Sequence, residues 1–261
     1  MEMKRGSVKH MGNGMGNVIR EKKTGGWKIR LVQVLVVLLA FAGVGVYIYA
    51  QDYYRASVTA LEAIEAENLV DGDLVYGRAD ATKGVIIYPG GKVDEKAYAY
   101  LAKSISDLGY ETVVLKMPLK LAILGGNRAK KHIQSREGIE EWVIIGHSLG
   151  GVAAAGFIEK NPEKIGGMVF MGSYPTEGTY LGDNGISIYS FVGTEDRIVN
   201  QEALLASIDT LGEFGQLVEI PGGNHSYYAN YGNQENDGSA SIGYAEQQQY
   251  ILDAVSEILS D

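Results

Sequence analysis

The chain has 261 residues, 46% of them hydrophobic and 21% charged, with a formal net charge of −9 and no cysteine. That length allows one full domain plus an appendage or two small domains, and the apolar content excludes global disorder. The lack of cysteine excludes disulfides, thiolate metal sites, iron–sulfur clusters and a cysteine nucleophile, and the acidic balance argues against a nucleic-acid binder.

The charge is unevenly placed. Residues 1–30 carry eight Lys or Arg against two acids, a balance of +6, which leaves −15 for the rest. Residues 31–50 (LVQVLVVLLAFAGVGVYIYA) have Gln33 as the sole clearly polar side chain. Twenty residues at about 1.5 Å each span the ~30 Å hydrocarbon core of a bilayer. Trp27, Lys28 and Arg30 flank the stretch on one side and Tyr47, Tyr49, Tyr53 and Tyr54 on the other, the interfacial pattern of a membrane helix. A signal peptide cleaved after Ala50 is the alternative, but a signal core runs only about 7–15 residues. The reading is therefore an uncleaved anchor. The positive-inside rule leaves residues 1–30 as an unstructured cytoplasmic leader and puts a single domain, residues 51–261, outside the cytoplasm.

Along that domain, helical spacing covers 53–68 (Val58, Leu61, Ile64). Short apolar runs then alternate with helical patterns. Strands are predicted at 74–76, 85–88, 112–115, 142–145, 167–171, 186–192 and 217–220. Helices are predicted at 94–108 with Asp94 as N-cap, at 119–134 in part, at 149–160, at 201–211 and at 244–259. Such alternation builds βαβ units, hence an α/β fold with a doubly wound, mostly parallel sheet that binds ligands beyond the carboxyl ends of its strands. Only about fifteen residues separate the 167–171 strand from the next, too few for a large helical cap, so the site is expected to be open. Its walls are expected from 119–128, 174–180 and the Tyr-rich 227–231, with the polar, Gly-rich 230–241 loop mobile over it.

At the end of the 142–145 strand stands Gly146-His147-Ser148-Leu149-Gly150, a G-x-S-x-G sequence between a strand and a helix. A tight turn there exposes the Ser148 hydroxyl at a helix N-terminus, and the Leu149 amide points to the oxyanion that would form. The serine needs a base. Of the four histidines, His10 lies in the leader, His132 in a basic stretch expected to face solvent, and His147 inside the turn with its side chain directed away from Ser148. His225, after the last strand, is left. Asp196, after the 186–192 strand, supplies the orienting acid, with Glu195 as rival; Asp183 would sit at the wrong edge. The second oxyanion amide is expected from Pro89-Gly90-Gly91, Gly91 favoured over Gly90.

With YPGGKVD at 88–94, GHSLGG at 146–151, SYP at 173–175, GTEDRIV at 193–199 and GGNHSYYANYG at 222–232, the chain resembles the alpha/beta hydrolase superfamily over residues 58–259, in a bacterial serine hydrolase branch related to the dienelactone hydrolases. The resemblance implies Ser148 as nucleophile, His225 as base, Asp196 as acid, and amides at Leu149 and Gly91 as the oxyanion hole. It implies cleavage of a small-molecule or lipid-like ester through an acyl-enzyme, as in a carboxylesterase, with no cofactor or metal. Dienelactone hydrolases proper use a cysteine, which this chain lacks. An acyltransferase with the same intermediate, or a non-catalytic binding module of the same fold, are the competing functions.

Overall fold

The computed structural model describes residues 26–65, 68–77, 80–182 and 185–260, in two compact units, residues 1–49 and 50–261. Residues 1–25 of the leader, with His10, and Asp183 lie outside the described residues, whereas leader residues 26–30, expected to be unstructured, are helical. In the first unit, α1 (Gly26–Gln51) begins five residues before the predicted apolar stretch and runs about 39 Å at 1.5 Å per residue. Its apolar side chains stay exposed, and it is long and apolar enough to cross a bilayer.

The second unit is built on an eight-stranded sheet. The strands are β1 (Leu69–Val70), β2 (Asp73–Tyr76), β3 (Lys83–Tyr88), β4 (Glu111–Val114), β5 (Glu141–His147), β6 (Ile165–Met171), β7 (Ser187–Gly193) and β8 (Gly215–Ile220), in spatial order β1-β2-β4-β3-β5-β6-β7-β8. Pairing from β4 to β8 is parallel, and β1 and β2 add antiparallel strands at one edge. Because both faces are covered, the inner strands read as continuous apolar runs. Val85, Ile87, Val143, Ile145 and Val169 pack towards α3 (Ala99–Asp107) and α7 (Tyr244–Ser260). Ile86, Tyr88, Ile144, Met168 and Phe170 pack on the opposite side, with α4 (Ala129–Ser135) and α5 (Leu149–Ile158). The chain winds from β3 outwards to β4, then returns past β3 to β5 and continues the other way to β8. The crevice at the carboxyl ends of β3 and β5 is therefore the topological switch point.

Three local expectations change. The 53–68 helix shrinks to α2 (Val58–Glu62), capped by Ser57, because Tyr54 is held in an isolated β-bridge instead. Tyr54 bridges Val93, with Tyr54 N–H donating to Lys92 O at 2.7 Å and Asp94 N–H to Tyr54 O at 2.9 Å. The 119–134 helix starts only at Ala129. Ahead of it stand three short 3₁₀ turns, in the first of which Leu119 and Lys120 take positive φ (51° and 56°). The 201–211 helix stops at Ala206 as α6 (Gln201–Ala206), and a 3₁₀ turn completes it. Asp94 caps as expected, accepting from Lys96 N–H. Among the described residues, the connection from β6 to β7 carries no cap helix.

Candidate active site

Ser148 occupies the corner between β5 and α5 with φ +50° and ψ −124°. A β-carbon in that region costs about 1–3 kcal/mol, so the surroundings must hold it. They do so by hydrogen bonds: Ser148 N–H donates to Met171 O at 3.0 Å, and the Ser148 carbonyl accepts from Ser173 Oγ at 2.7 Å and from Gly151 N–H at 2.9 Å. The corner closes only because two residues lack side chains. A β-carbon on Gly146 would stand 2.3 Å from Gly151 Cα, and one on Gly150 would stand 2.2 Å from Tyr88 O.

Asp196 and His225, 29 residues apart, meet at 2.8 Å between Oδ2 and Nδ1, both buried. The other carboxylate oxygen accepts the Ile198 and Val199 amides at 2.9 Å each, so the acid has a fixed orientation. A carboxylate only accepts; the proton of a neutral His225 therefore sits on Nδ1 and the lone pair on Nε2. That Nε2 is buried and has no hydrogen-bond partner. Glu195, the rival acid, makes its recorded contact through its backbone, its N–H donating to Gly223 O. The pair lies against the serine corner through Gly172, which follows the Met171 that holds Ser148. A β-carbon there would be 2.8 Å from His225 Nδ1 and 3.0 Å from Asp196 Oδ2.

The loop after β3 can be accounted for amide by amide. Gly90 N–H donates to Tyr98 Oη at 2.8 Å, Lys92 N–H to Lys120 O at 2.8 Å, and Val93 N–H to Gly90 O at 3.3 Å. Among the described residues no acceptor engages Gly91 N–H, and a β-carbon on Gly91 would lie 3.3 Å from Leu149 Cδ2. Of the two glycines, Gly90 has thus already given its donor to a side chain.

Several side chains that position this site carried no signal in the sequence. Asp237 accepts from Ser226 N–H at 2.9 Å, from Gly238 N–H at 2.9 Å and from His225 N–H at 3.3 Å, so the 230–241 loop, expected to be mobile, is tied to the His225 turn. Gln247 on α7 grips both backbone groups of Asn224 at 3.0 and 2.7 Å. The tyrosines of 227–231 pack rather than line an opening. Tyr228 is fully buried, Tyr231 nearly so, and Tyr227 stacks on Tyr244 with ring centroids 3.8 Å apart. His147 points away from the hydroxyl as expected, into the interior, where it touches Tyr98 and the His225 carbonyl.

His132 is a correction. It is buried rather than solvent-facing, its Nε2 2.9 Å from Asp73 Oδ2 and its Nδ1 2.9 Å from Arg136 Nη1. Fully buried Asp73 also receives Lys131 Nζ at 2.7 Å, Arg128 Nη2 at 3.2 Å and Lys116 N–H at 2.8 Å. Burial alone would raise the Asp73 carboxyl, but these donors and charges hold it well below the usual carboxylate range. Among the described residues no group of three or more His, Asp or Glu is arranged for a metal ion.

An open cleft of about 760 Å³ runs along α5, starting one turn beyond Ser148. Ile123, Leu124, Val152, Ala153 and Phe157 form its apolar walls, and Thr176 and Thr179 edge it from the β6–β7 connection. Arg128, Lys131, Glu159 and Lys160 also line it, whereas Ser148, Leu149, Gly91, Asp196, His225 and residues 227–231 do not.

The chain matches the family model described as the alpha/beta hydrolase family over residues 84–249. No curated protein matches it. Solved structures share its fold at low identity. A predicted CIB-like hydrolase from Thermoplasma acidophilum has 13% identity and a TM-score of 0.54 over 72% of this chain and 95% of its own. A monoacylglycerol lipase from Paleococcus ferrophilus has 15% identity and a TM-score of 0.54 over 71% and 98%. A carboxylesterase from Bacillus subtilis has 12% identity and a TM-score of 0.51 over 72% and 86%.

Proposed function

The chain belongs to the alpha/beta hydrolase family, and from that premise we propose that it is a membrane-anchored serine hydrolase that cleaves an ester through an acyl-enzyme. The observation that carries the reading is the Asp196–His225 pair, whose outer Nε2 is buried without a partner and which packs through Gly172 beside the strand end that holds Ser148. Ser148 Oγ attacks the ester carbonyl while His225 Nε2 takes its proton. The carbonyl oxygen becomes an oxyanion, held by the amides of Leu149 and Gly91. When the tetrahedral adduct collapses, the C–O bond to the leaving alcohol breaks and His225 returns the proton to that oxygen. Water, deprotonated by His225, then cleaves the acyl-enzyme and restores Ser148. Asp196 keeps the proton on Nδ1 throughout and stabilises the imidazolium.

The cleft beside α5 supplies apolar contact for one arm of the ester, and the lipase and carboxylesterase among the structural neighbours are consistent with such a substrate. Residues 31–50 serve as the anchor, and the domain that follows faces away from the cytoplasm. The test is titration of the full chain, solubilised in detergent, with a fluorophosphonate, beside Ser148→Ala. Stoichiometric labelling that disappears in the variant, with turnover of short aryl esters, is the expected result. Folded wild type that neither labels nor turns over esters overturns the reading.

A further inference from the structure

A continuous hydrogen-bonded chain crosses the floor of the site and takes no part in the steps above. Gly90 N–H donates to Tyr98 Oη at 2.8 Å. Tyr98 Oη meets His147 Nδ1 at 2.6 Å, and His147 Nε2 meets the His225 carbonyl at 3.1 Å. Only one proton arrangement satisfies it. A carbonyl oxygen only accepts, so Nε2 of His147 carries hydrogen. A neutral ring then leaves Nδ1 as an acceptor, to which Tyr98 donates while its own lone pair takes the Gly90 amide. The ring is neutral because burial, reinforced by the neighbouring His225, pushes its pKa well below the ordinary value. Tyr98 and His147 are fully buried, and the His147 and His225 ring centroids stand 4.8 Å apart. Packing repeats the same constraint: a β-carbon on Gly90 would stand 2.9 Å from His147 Nδ1 and 3.3 Å from Tyr98 Oη.

We propose that Tyr98 and His147 are positioning residues that tie the oxyanion loop to the base loop, so that Gly91 N–H, rather than Gly90 N–H, faces the developing oxyanion while His225 is held in register with it. The proposal rests on the assignment of Ser148 and His225 above. The chain engages Gly90 at one end and the backbone of His225 at the other. Its loss should therefore weaken stabilisation of the tetrahedral adduct without touching ground-state binding in the cleft.

Tyr98→Phe removes only the hydroxyl, and His147→Gln is the second variant. Both are made in the full chain in detergent and normalised to the fraction of sites that a fluorophosphonate labels. The expected result is a kcat per labelled site about 10–100-fold lower with KM within about twofold. Inhibition by an alkyl boronate, which mimics the tetrahedral oxyanion, should weaken by the same factor. The double variant should lose little more than either single, since both interrupt one chain. A purely structural role would lower the labelled fraction or the melting temperature and leave kcat per site and boronate affinity alone. That result, in either variant that still folds, overturns the proposal. Wild type that does not label at all would instead overturn the hydrolase reading itself, so the two failures are distinct.

Discussion

The domain holds two buried aspartate–histidine pairs of nearly equal length, Asp73–His132 at 2.9 Å and Asp196–His225 at 2.8 Å. They differ in what surrounds them. Asp73 is fully occupied, by Lys116 N–H, Arg128, Lys131 and His132, and Arg136 closes the far nitrogen of His132. Both oxygens of Asp73 and both ring nitrogens of His132 are engaged, and the cluster fastens α4 and the turn before it to the edge of the sheet. Asp196 is satisfied by two amides and one imidazole, and the far nitrogen of that imidazole has nothing to bond. A buried unpaired acceptor is expensive, on the order of 1–3 kcal/mol, and persists where a substrate or nucleophile completes it. A short Asp–His contact is therefore common to both pairs, and what sets the proposed catalytic pair apart is the open nitrogen beyond it.

Exchanging the same atoms in the two pairs tests that contrast. Asp196→Asn should lower kcat per folded enzyme about 10,000-fold, because an amide no longer enforces the Nδ1 tautomer. The melting temperature should change little, and steady-state ester kinetics alongside thermal unfolding would check both. Asp73→Asn should do the reverse. It leaves the cations around it without their counter-charge and should cost about 3–5 kcal/mol of stability in denaturant titration. Activity per folded site should stay within about threefold of wild type. If Asp73→Asn cost activity and not stability, the contrast would be wrong.

Acid sharpens the comparison. The Asp73 carboxyl is depressed in the folded state, so its contribution is complete above about pH 4, the unfolded carboxylate value, and is lost as pH falls through the lower folded value. The depressed His147 works at higher pH. Below about pH 6.5 the unfolded chain binds a proton there that the folded chain excludes, so stability falls by about 1.4 kcal/mol per pH unit below that point. His147→Gln should remove that slope between about pH 6.5 and 5 while leaving the Asp73 loss below about pH 4. Chemical denaturation at several pH values reads both.

The smallest effect is expected in the cleft. Ile123 is two-thirds exposed on its lip. Ile123→Ser should leave stability unchanged and raise KM for long-chain aryl esters about 3–10-fold, with little effect on acetate esters, from the loss of roughly 1 kcal/mol of apolar contact. An equal change for both chain lengths would take the cleft out of substrate binding.

Much of this was open to reading from the chain alone, and the reason is locality. The Gly146–Gly150 corner is written in one short run of sequence, so its glycines announce it even though Tyr88, Met171 and Ser173 hold it. The inner strands are covered on both faces, so they stand out as apolar runs. The order Ser148, Asp196, His225 follows from strand ends, which those runs locate. The apolar stretch of α1 needs only length and composition. Signals failed where a partner is distant. The 53–68 pattern looked helical until Tyr54 found Lys92 and Asp94, and His132 looked like one more residue in a basic, solvated run until Asp73, 59 positions away, came to it. Sequence already favoured Asp196 over Glu195 and Gly91 over Gly90, but the contacts that support those preferences appear only in the tertiary structure. Adjacent residues are equivalent by composition, and only the side chain that packs against them, His225 for one pair and Tyr98 for the other, makes them different. Asp237 and Gln247 belong to the same class, since each acts by bonding a backbone whose position the sheet alone determines. Sequence thus determined most of the elements and the candidate reactive residue types, because those depend on local conformation and burial. Tertiary structure decided which donors and acceptors remain unpaired, because that depends on the whole set of neighbours at once.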